Sequence, residues 1–442
     1  MAVQPEDIRL LANQRFRSLL QSRVLGGTAQ NALLFTLLIL IVDKTSSSVL
    51  ATILIIAFIL PSILFGIPAG AIADIVPKRV ILTLGHIGRG VIVLALIIFS
   101  DNVGFILLLV FAFSTVGQFF GPAEAATVPG IVRRDQIASA NSLMVFTSLL
   151  GQVAGTVILG ALLFKIGGEI PIFVIAALLF GWGAWIVATV HAGLTEKKDV
   201  ARTSMGFLDS LREGFRILRT NRRAYLAIAY LAITLTLAKM LVILLPKYTE
   251  DVLGIAPEDT VFVAAPGAIG AGVGLLVAPI LARLFGSWRV VAVGFVILLL
   301  GLMGLGLVVL VKDFVKETLD FGLTFVENEV GVNSVITMTM ILAIPIGFAF
   351  TLVRVAAGAV MNEEAPEETQ GRVFAVQGSL ADFLSLLPLL IVGGTADLVG
   401  VRATLLAVTI SAMLLALYLT FSRRFGPPPQ MRPAEVGQPT SS

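Results

Sequence analysis

The chain has 442 residues, of which 57% are hydrophobic and 13% are charged, and its mean hydropathy is +0.98. A soluble domain carries about 25% charged residues, so this chain has too little polar surface for a water-soluble fold. It contains no cysteine and only 2 histidines, which excludes disulfide scaffolds, cysteine nucleophiles and histidine-rich metal centres. The composition therefore predicts an integral membrane protein with no metal site and no cofactor.

Twelve apolar runs are long enough to cross a bilayer, for which about 20 residues are needed. They lie at residues 24–42, 48–72, 80–99, 104–127, 143–164, 170–190, 225–245, 261–283, 290–311, 335–360, 374–393 and 401–421. The longest predicted outer loop, which is acidic and partly amphipathic, is at 312–334. The basic segment between the sixth and seventh runs has helical apolar spacing at 207–223, which predicts an amphipathic helix on the membrane surface.

These runs predict an all-α membrane protein built from two six-helix bundles. The predicted parts are a cytoplasmic segment 1–23, a bundle 24–190, an amphipathic linker 191–224, a bundle 225–421 and a disordered tail 422–442. Most of the 31 Lys and Arg residues fall in segments that the predicted spans place on the same side of the membrane as the N-terminus. By the positive-inside rule, both termini are then cytoplasmic, and the basic charge reflects topology rather than nucleic-acid binding.

Glycines recur within two of the predicted spans. Span 5 and span 8 carry them at helical intervals: Gly151, Gly155 and Gly160 in the former, and Gly267, Gly270, Gly272 and Gly274 in the latter. Because small residues let membrane helices approach each other closely, we expect these positions to mark helix–helix contacts.

The most specific motif joins predicted spans 2 and 3. It includes Gly70, Asp74, Pro77, Lys78 and Arg79. Asp74 ends a helix, where the macrodipole disfavours an anion, so this carboxylate needs a nearby cation or another helix N-terminus. It is either part of a gate or a static anchor of the topology.

This motif resembles the loop-2/3 signature of the major facilitator superfamily, with Pro77 where many members have glycine. Residues 120–129, 140–143, 211–223 and 371–374 resemble the enterobactin-exporter and macrolide-efflux branch of that superfamily. The resemblance implies the major facilitator fold and a monomeric protein in the inner (plasma) membrane of a bacterium. It also implies that this protein exports amphipathic small molecules. It also implies that span 11 faces Asp74, so that Arg372 and Asp74 would close the inner side.

Five ionisable residues within or near the ends of predicted spans are candidates for function, because a charge in the bilayer costs several kcal/mol. They are Asp382, Arg354, Lys239, Arg89 and Glu124. Asp382 is the one acidic residue predicted well inside a span. It matches Arg354 in depth, which suggests that the two pair, whereas Lys239 is a longer reach. Asp382 is then a structural ion-pair partner, a proton carrier or a substrate contact.

Arg89 and Glu124 are assigned to the inner part of the first bundle. Arg89 is predicted either to extend its side chain toward the inner surface or to relay charge with Glu124 or Asp74. Many multidrug exporters carry an acidic residue in span 1 or span 4, and Glu124 is predicted to lie too near the inner end of span 4 to fill that role plainly.

Polar and aromatic residues of spans 1 and 4 are candidates for the substrate cavity. They are Gln30, Asn31, Gln118 and Phe119. The amides would hydrogen-bond a substrate and the ring would supply a flat apolar surface. Each of these side chains has the alternative of bonding or packing against a neighbouring helix.

The chain lacks a phosphate-binding Gly-Lys-Ser/Thr motif and the motifs of hydrolases, so a nucleotide-driven pump and an enzyme are excluded. Transport then uses an ion gradient or the gradient of the substrate. The predicted function is proton-coupled export of amphipathic small molecules, drug-, macrolide- or siderophore-like, by alternating access. The alternatives are a lysophospholipid or lipid transporter and a membrane scaffold or sensor that transports nothing.

Overall fold

The computed structural model describes residues 10–133, 136–190, 222–256, 259–318, 333–364 and 370–422. Most of the linker predicted at 191–224 and nearly all of the tail predicted at 422–442 lie outside these ranges. The amphipathic helix and the disordered tail therefore remain predictions.

The described residues contain 12 helices that are long and apolar enough to cross a membrane. Those of the first bundle are α1 (Gln14–Thr45), α2 (Ser48–Ile75), α3 (Lys78–Phe99), α4 (Val103–Ile131), α5 (Ile137–Val153) and α6 (Glu169–Val190). Those of the second are α7 (Arg222–Tyr248), α8 (Thr260–Phe285), α9 (Ser287–Thr318), α10 (Ser334–Glu364), α11 (Gln370–Val399) and α12 (Val401–Phe421). The all-α fold with twelve spans is thereby confirmed.

Two helices are extended by π-helical segments. α5 continues through Ala154–Leu162 into Leu163–Gly167, and α7 continues through Thr249–Leu253. Since successive helices run in opposite directions, Gln14 and Phe421 lie at one end of the molecule, which we call the inner end. Ser48 and Val399 lie at the opposite, outer end.

Several helices are longer than the apolar runs that predicted them. α1 is capped by the side chain of Asn13 and begins at Gln14, ahead of the predicted span, so Arg23 lies inside a helix. α9 continues to Thr318, into the stretch expected to be an outer loop. Helix length is decided by capping and packing as well as by apolar composition.

The glycines of α5 and α8 lie at close helix contacts. A Cβ on Gly155 would collide with the backbone of Thr28 in α1, and one on Gly270 would collide with the backbone of Ile344 in α10. The predicted contact role is confirmed at six of the seven positions: Gly151, Gly155, Gly160, Gly267, Gly270 and Gly274. Gly272 faces open space, and the prediction is wrong there.

The apolar core is arranged differently at the two ends. In the outer half one cluster joins both bundles and includes Leu54 of α2, Ile243 of α7 and Leu389 of α11. In the inner half the described core divides into one cluster around Leu82 of the first bundle and another around Val353 of the second. The described apolar core is therefore continuous between the bundles at the outer end and divided between them at the inner end.

Candidate functional site

A charged network lies at mid-depth between the bundles, centred on Asp382 of α11. Lys239 of α7 donates to Oδ1 of Asp382 over 2.7 Å, and Ser62 of α2 donates to Oδ2 over 3.0 Å. Lys239 also donates to Oγ of Ser385 over 3.0 Å. The Asp382 side chain keeps 32% of its surface exposed. The carboxylate is thus shared by two helices of its own bundle and one of the other.

The expected pairing of Asp382 with Arg354 is wrong. α10, which carries Arg354, packs mainly against α8 and α9, whereas α7 lies directly beside α11. α7 and α11 also extend farther outward than predicted, so Lys239 lies about 21 Å and Asp382 about 25 Å from their outer ends, at 1.5 Å per residue. Lys239 is therefore within reach, and Arg354 stands apart.

A second inter-bundle contact closes the outer end, and we call it the outer latch. Asp397 near the end of α11 accepts hydrogen bonds from Oγ of Ser47 (3.1 Å) and the backbone amides of Ser48 (2.9 Å) and Val49 (3.2 Å). These amides form the N-terminus of α2, where the helix macrodipole favours an anion. Lys247 of α7 pairs with the same carboxylate over 2.5 Å.

Close packing and another ion pair support the outer latch. Gly393 of α11 lies against Thr52 and the backbone of Ser48, where a Cβ would not fit. On the other side of the interface, Lys165 at the end of α5 pairs with Asp259, which precedes α8. The two bundles are thus joined at their outer ends through α2–α11 and α5–α8.

Glu124 is more deeply placed than expected. It is 4% exposed within α4, about 10 Å from the inner end, and it pairs with Arg23 of α1. Arg23 also donates to the carbonyl of Met144 (3.0 Å) and to Oγ of Ser148 (2.9 Å) in α5. The prediction that Asp382 is the one acidic residue well inside a span is therefore wrong. Glu124 joins three helices of the first bundle.

Of the two alternatives predicted for Arg89, extension toward the inner surface is wrong, and a charge relay with Glu124 or Asp74 remains a prediction. Arg89 is 7% exposed, and its guanidinium lies 5.4 Å from the ring centre of Phe113 and 5.1 Å from that of Phe120. Aromatic faces attract the cation, and Glu124 lies near enough to attract it as well. The neighbouring His86 is buried and shares a 2.7 Å hydrogen bond with Ser22.

The predicted cavity residues make local contacts in this structure. Asn31 donates to the carbonyl of Gly27 in its own helix over 2.7 Å and lies at the contact with α5. Gln118 lies near Ser114 of its own helix, at 3.3 Å from that carbonyl, and Phe119 packs on the inner core of the first bundle. Gln30 is half-buried. Asn31, Gln118 and Phe119 thus show local bonding and packing, and their role toward a substrate remains a prediction.

The predicted inner gate is described only in part. Gly70 lies within α2, Pro77 precedes α3, and α3 begins at Lys78. Arg79 donates to the carbonyl of Ala188 near the end of α6, so it fastens α3 to α6. The side chains of Asp74 and Arg372 lie outside the described part of the structure, and their contact remains a prediction.

Sequence reasoning missed several residues of these networks. Arg23 was assigned to the segment preceding the first predicted span, and Ser62, Lys247 and Asp397 were not singled out. A signal for Arg23 exists, since a lone arginine next to an apolar run needs a partner such as Glu124. Asp397 and Ser47 are joined by tertiary contact, which no local pattern encodes.

Two six-helix bundles that meet over intramembrane charges are typical of secondary transporters. The profile of the Major Facilitator Superfamily matches residues 22–316, about two thirds of the chain, and the chain belongs to this family. It is a multi-pass membrane transporter rather than an enzyme.

Known proteins with similar sequences or folds are transporters. The multidrug efflux pump Tap of Mycolicibacterium fortuitum is 26% identical over 402 residues, which cover 87% of this chain and 90% of Tap. The nucleoside transporter NupG superposes with a TM-score of 0.67 at 11% identity, covering 92% of this chain and 98% of NupG. An inward-facing bacterial homologue of the human lysosomal transporter Spinster has a TM-score of 0.67 at 13% identity, covering 92% and 96%.

Proposed function

We propose that this protein is a proton-coupled exporter of amphipathic small molecules that works by alternating access, as a monomer in a bacterial inner membrane with both termini cytoplasmic. The observation that carries the proposal is the position of Asp382. Its carboxylate is held by Lys239 of its own bundle and by Ser62 of the other bundle. It therefore lies where a change in the relation between the bundles alters its bonding.

Coupling requires that a proton site change its affinity with the conformation of the transporter. The outer latch and Ser62 both belong to the α2–α11 contact. When the outer end opens, Ser62 withdraws from Asp382, while Lys239 moves with it. The carboxylate then has one hydrogen bond fewer and an unchanged cation, so its surroundings differ between the two conformations.

The direction of transport and the substrate class rest on the similarity to Tap, which is a multidrug efflux pump. The described apolar core, which is continuous between the bundles at the outer end and divided at the inner end, fits a conformation that takes up substrate from the inner side. A lipid transporter is the second candidate. An apolar cavity of about 190 Å³ within the second bundle favours it.

The experiment uses proteoliposomes with an imposed pH gradient and a pH-sensitive dye in the lumen. Macrolides, hydrophobic dyes, siderophores and lysophospholipids are added in turn. Proton flux that appears only with particular compounds supports antiport and identifies the substrate class. Transport of labelled lysophospholipid without proton flux would favour the lipid transporter, and no transport of any compound by correctly inserted protein would contradict both.

A further inference from the structure

An apolar cavity of about 190 Å³ lies within the second bundle, between α7, α8, α9 and α10. Leu237 of α7, Leu302 of α9 and Phe350 of α10 are among its walls. The polar side chains in its lining are those of Thr234 and Thr339. An apolar cavity of about 150 Å³ is large enough to stay dry and hold a benzene ring. This cavity therefore suits an aromatic or hydrocarbon group.

Arg354 continues the cavity-lining side of α10 toward the inner end. The lining positions of this helix recur at helical spacing: Thr339, Ala343, Ile346, Gly347 and Phe350. Arg354 follows Phe350 by one turn, about 6 Å, on the same side of the helix. A cation thus lies at the inner end of an apolar surface.

The charge of Arg354 is not neutralised within the described part of the chain. No described carboxylate forms an ion pair with it, whereas Arg23 of α1, its cationic neighbour across the bundle interface, is paired with Glu124. Surrounding protein removes part of the water around the guanidinium, yet the residue keeps exposed surface. This combination indicates a side chain that faces the space between the bundles rather than lipid.

An unpaired arginine at membrane depth is costly and is kept where it contacts an aqueous cavity or an anion. The neighbouring Arg23 is balanced by Glu124, so that among the described residues Arg354 is the cation of this pair that keeps its charge open to a ligand. The guanidinium also presents a planar set of donors that matches carboxylate, sulfonate and phosphate groups.

We propose that Arg354 and the apolar cavity form one binding site for an amphipathic anion. The acidic group, a carboxylate, sulfonate or phosphate, binds Arg354, and the apolar body enters the cavity. The proposal rests on the proposed function, because it defines the class of substrate that the transporter takes.

The test compares two probes that share an apolar body, anilinonaphthalene sulfonate and its neutral counterpart phenylnaphthylamine. Binding is measured on the full-length protein in nanodiscs, with empty nanodiscs subtracted. We expect Arg354→Gln to weaken binding of the sulfonate by about tenfold to a hundredfold, as for loss of a charged hydrogen bond, and to leave the neutral probe unaffected. The matched control is Arg283→Gln, which removes an exposed arginine at the inner end of α8 and should change neither.

Equal affinity of the wild type for the two probes, or equal loss of both in Arg354→Gln, would overturn the proposal. Competition identifies the source of the anion. Stronger displacement by lysophosphatidylglycerol points to membrane lipid and stronger displacement by decanesulfonate to a water-borne amphipath, while displacement by neither overturns the site. Proton flux with neutral compounds, measured in proteoliposomes, reports on the proposed function separately.

Discussion

Removing the carboxylate of Asp397 should release the outer latch. Three hydrogen bonds from the first bundle end on this group, from Ser47, Ser48 and Val49. A hydrogen bond to a charged group contributes about 1.5–3 kcal/mol, and the 25% exposure of Asp397 reduces that. Asp397→Ala should therefore destabilise the outer-closed state by about 3 kcal/mol, which shifts its ratio to the outer-open state about a hundredfold.

The chain contains no cysteine, so spin labels can be placed without removing native residues. Labels at Ile98→Cys in α3 and Leu398→Cys in α11 occupy positions that are 74% and 86% exposed at the outer ends of the two bundles. Pulsed electron–electron double resonance in lipid should show, for Asp397→Ala, an additional population with a longer distance between the two spin labels. Lys247→Met is the matched control, because Lys247 belongs to the same bundle as Asp397 and its loss leaves the inter-bundle bonds in place. Distance distributions in Asp397→Ala identical to those of the wild type would refute this reasoning.

Three further substitutions test the packing and the charge networks. Gly270→Val should lower the free energy of unfolding by about 2 kcal/mol because its side chain meets the α10 backbone, whereas Gly272→Val should not; thermal denaturation in detergent compares them. Glu124→Gln leaves Arg23 and Arg89 without their buried counter-charge, and it should lower the free energy of unfolding by about 3 kcal/mol in the same assay. An unchanged melting temperature would contradict the buried pair. Lys239→Met should lower the melting temperature more than the double variant Lys239→Met with Asp382→Asn does, because the single variant leaves the carboxylate without its cation. If the effects of the two single substitutions on stability add up to that of the double variant, the ion pair is excluded.

The twelve spans were predictable because bilayer thickness imposes a length and a composition on each helix separately. The contacts of Gly155 and Gly270 were predictable for a related reason, since close approach of two membrane helices selects small residues. In both cases the physical requirement acts on a local stretch of sequence.

The partner of Asp382 was not predictable from depth alone. Arg354 and Lys239 both fall near its level, and the choice between them depends on which helices are neighbours and on where α7 and α11 end. The burial of Arg89 was not predictable for a similar reason, because the rings of Phe113 and Phe120 that lie against it come from another helix. Asp397 reaches an N-terminus some 350 residues away in the chain, at Ser47 and Ser48.

The most direct test of the account compares two modes of transport in one variant. Asp382→Asn is placed in proteoliposomes with a compound that drives proton flux in the wild type, beside the control Asp101→Asn, whose carboxylate lies outside the spans. If Asp382 carries the proton, the variant exchanges labelled for unlabelled substrate across the membrane but no longer accumulates it against its gradient when a pH gradient is imposed. Accumulation by Asp382→Asn equal to that of the wild type and the control would contradict the central claim.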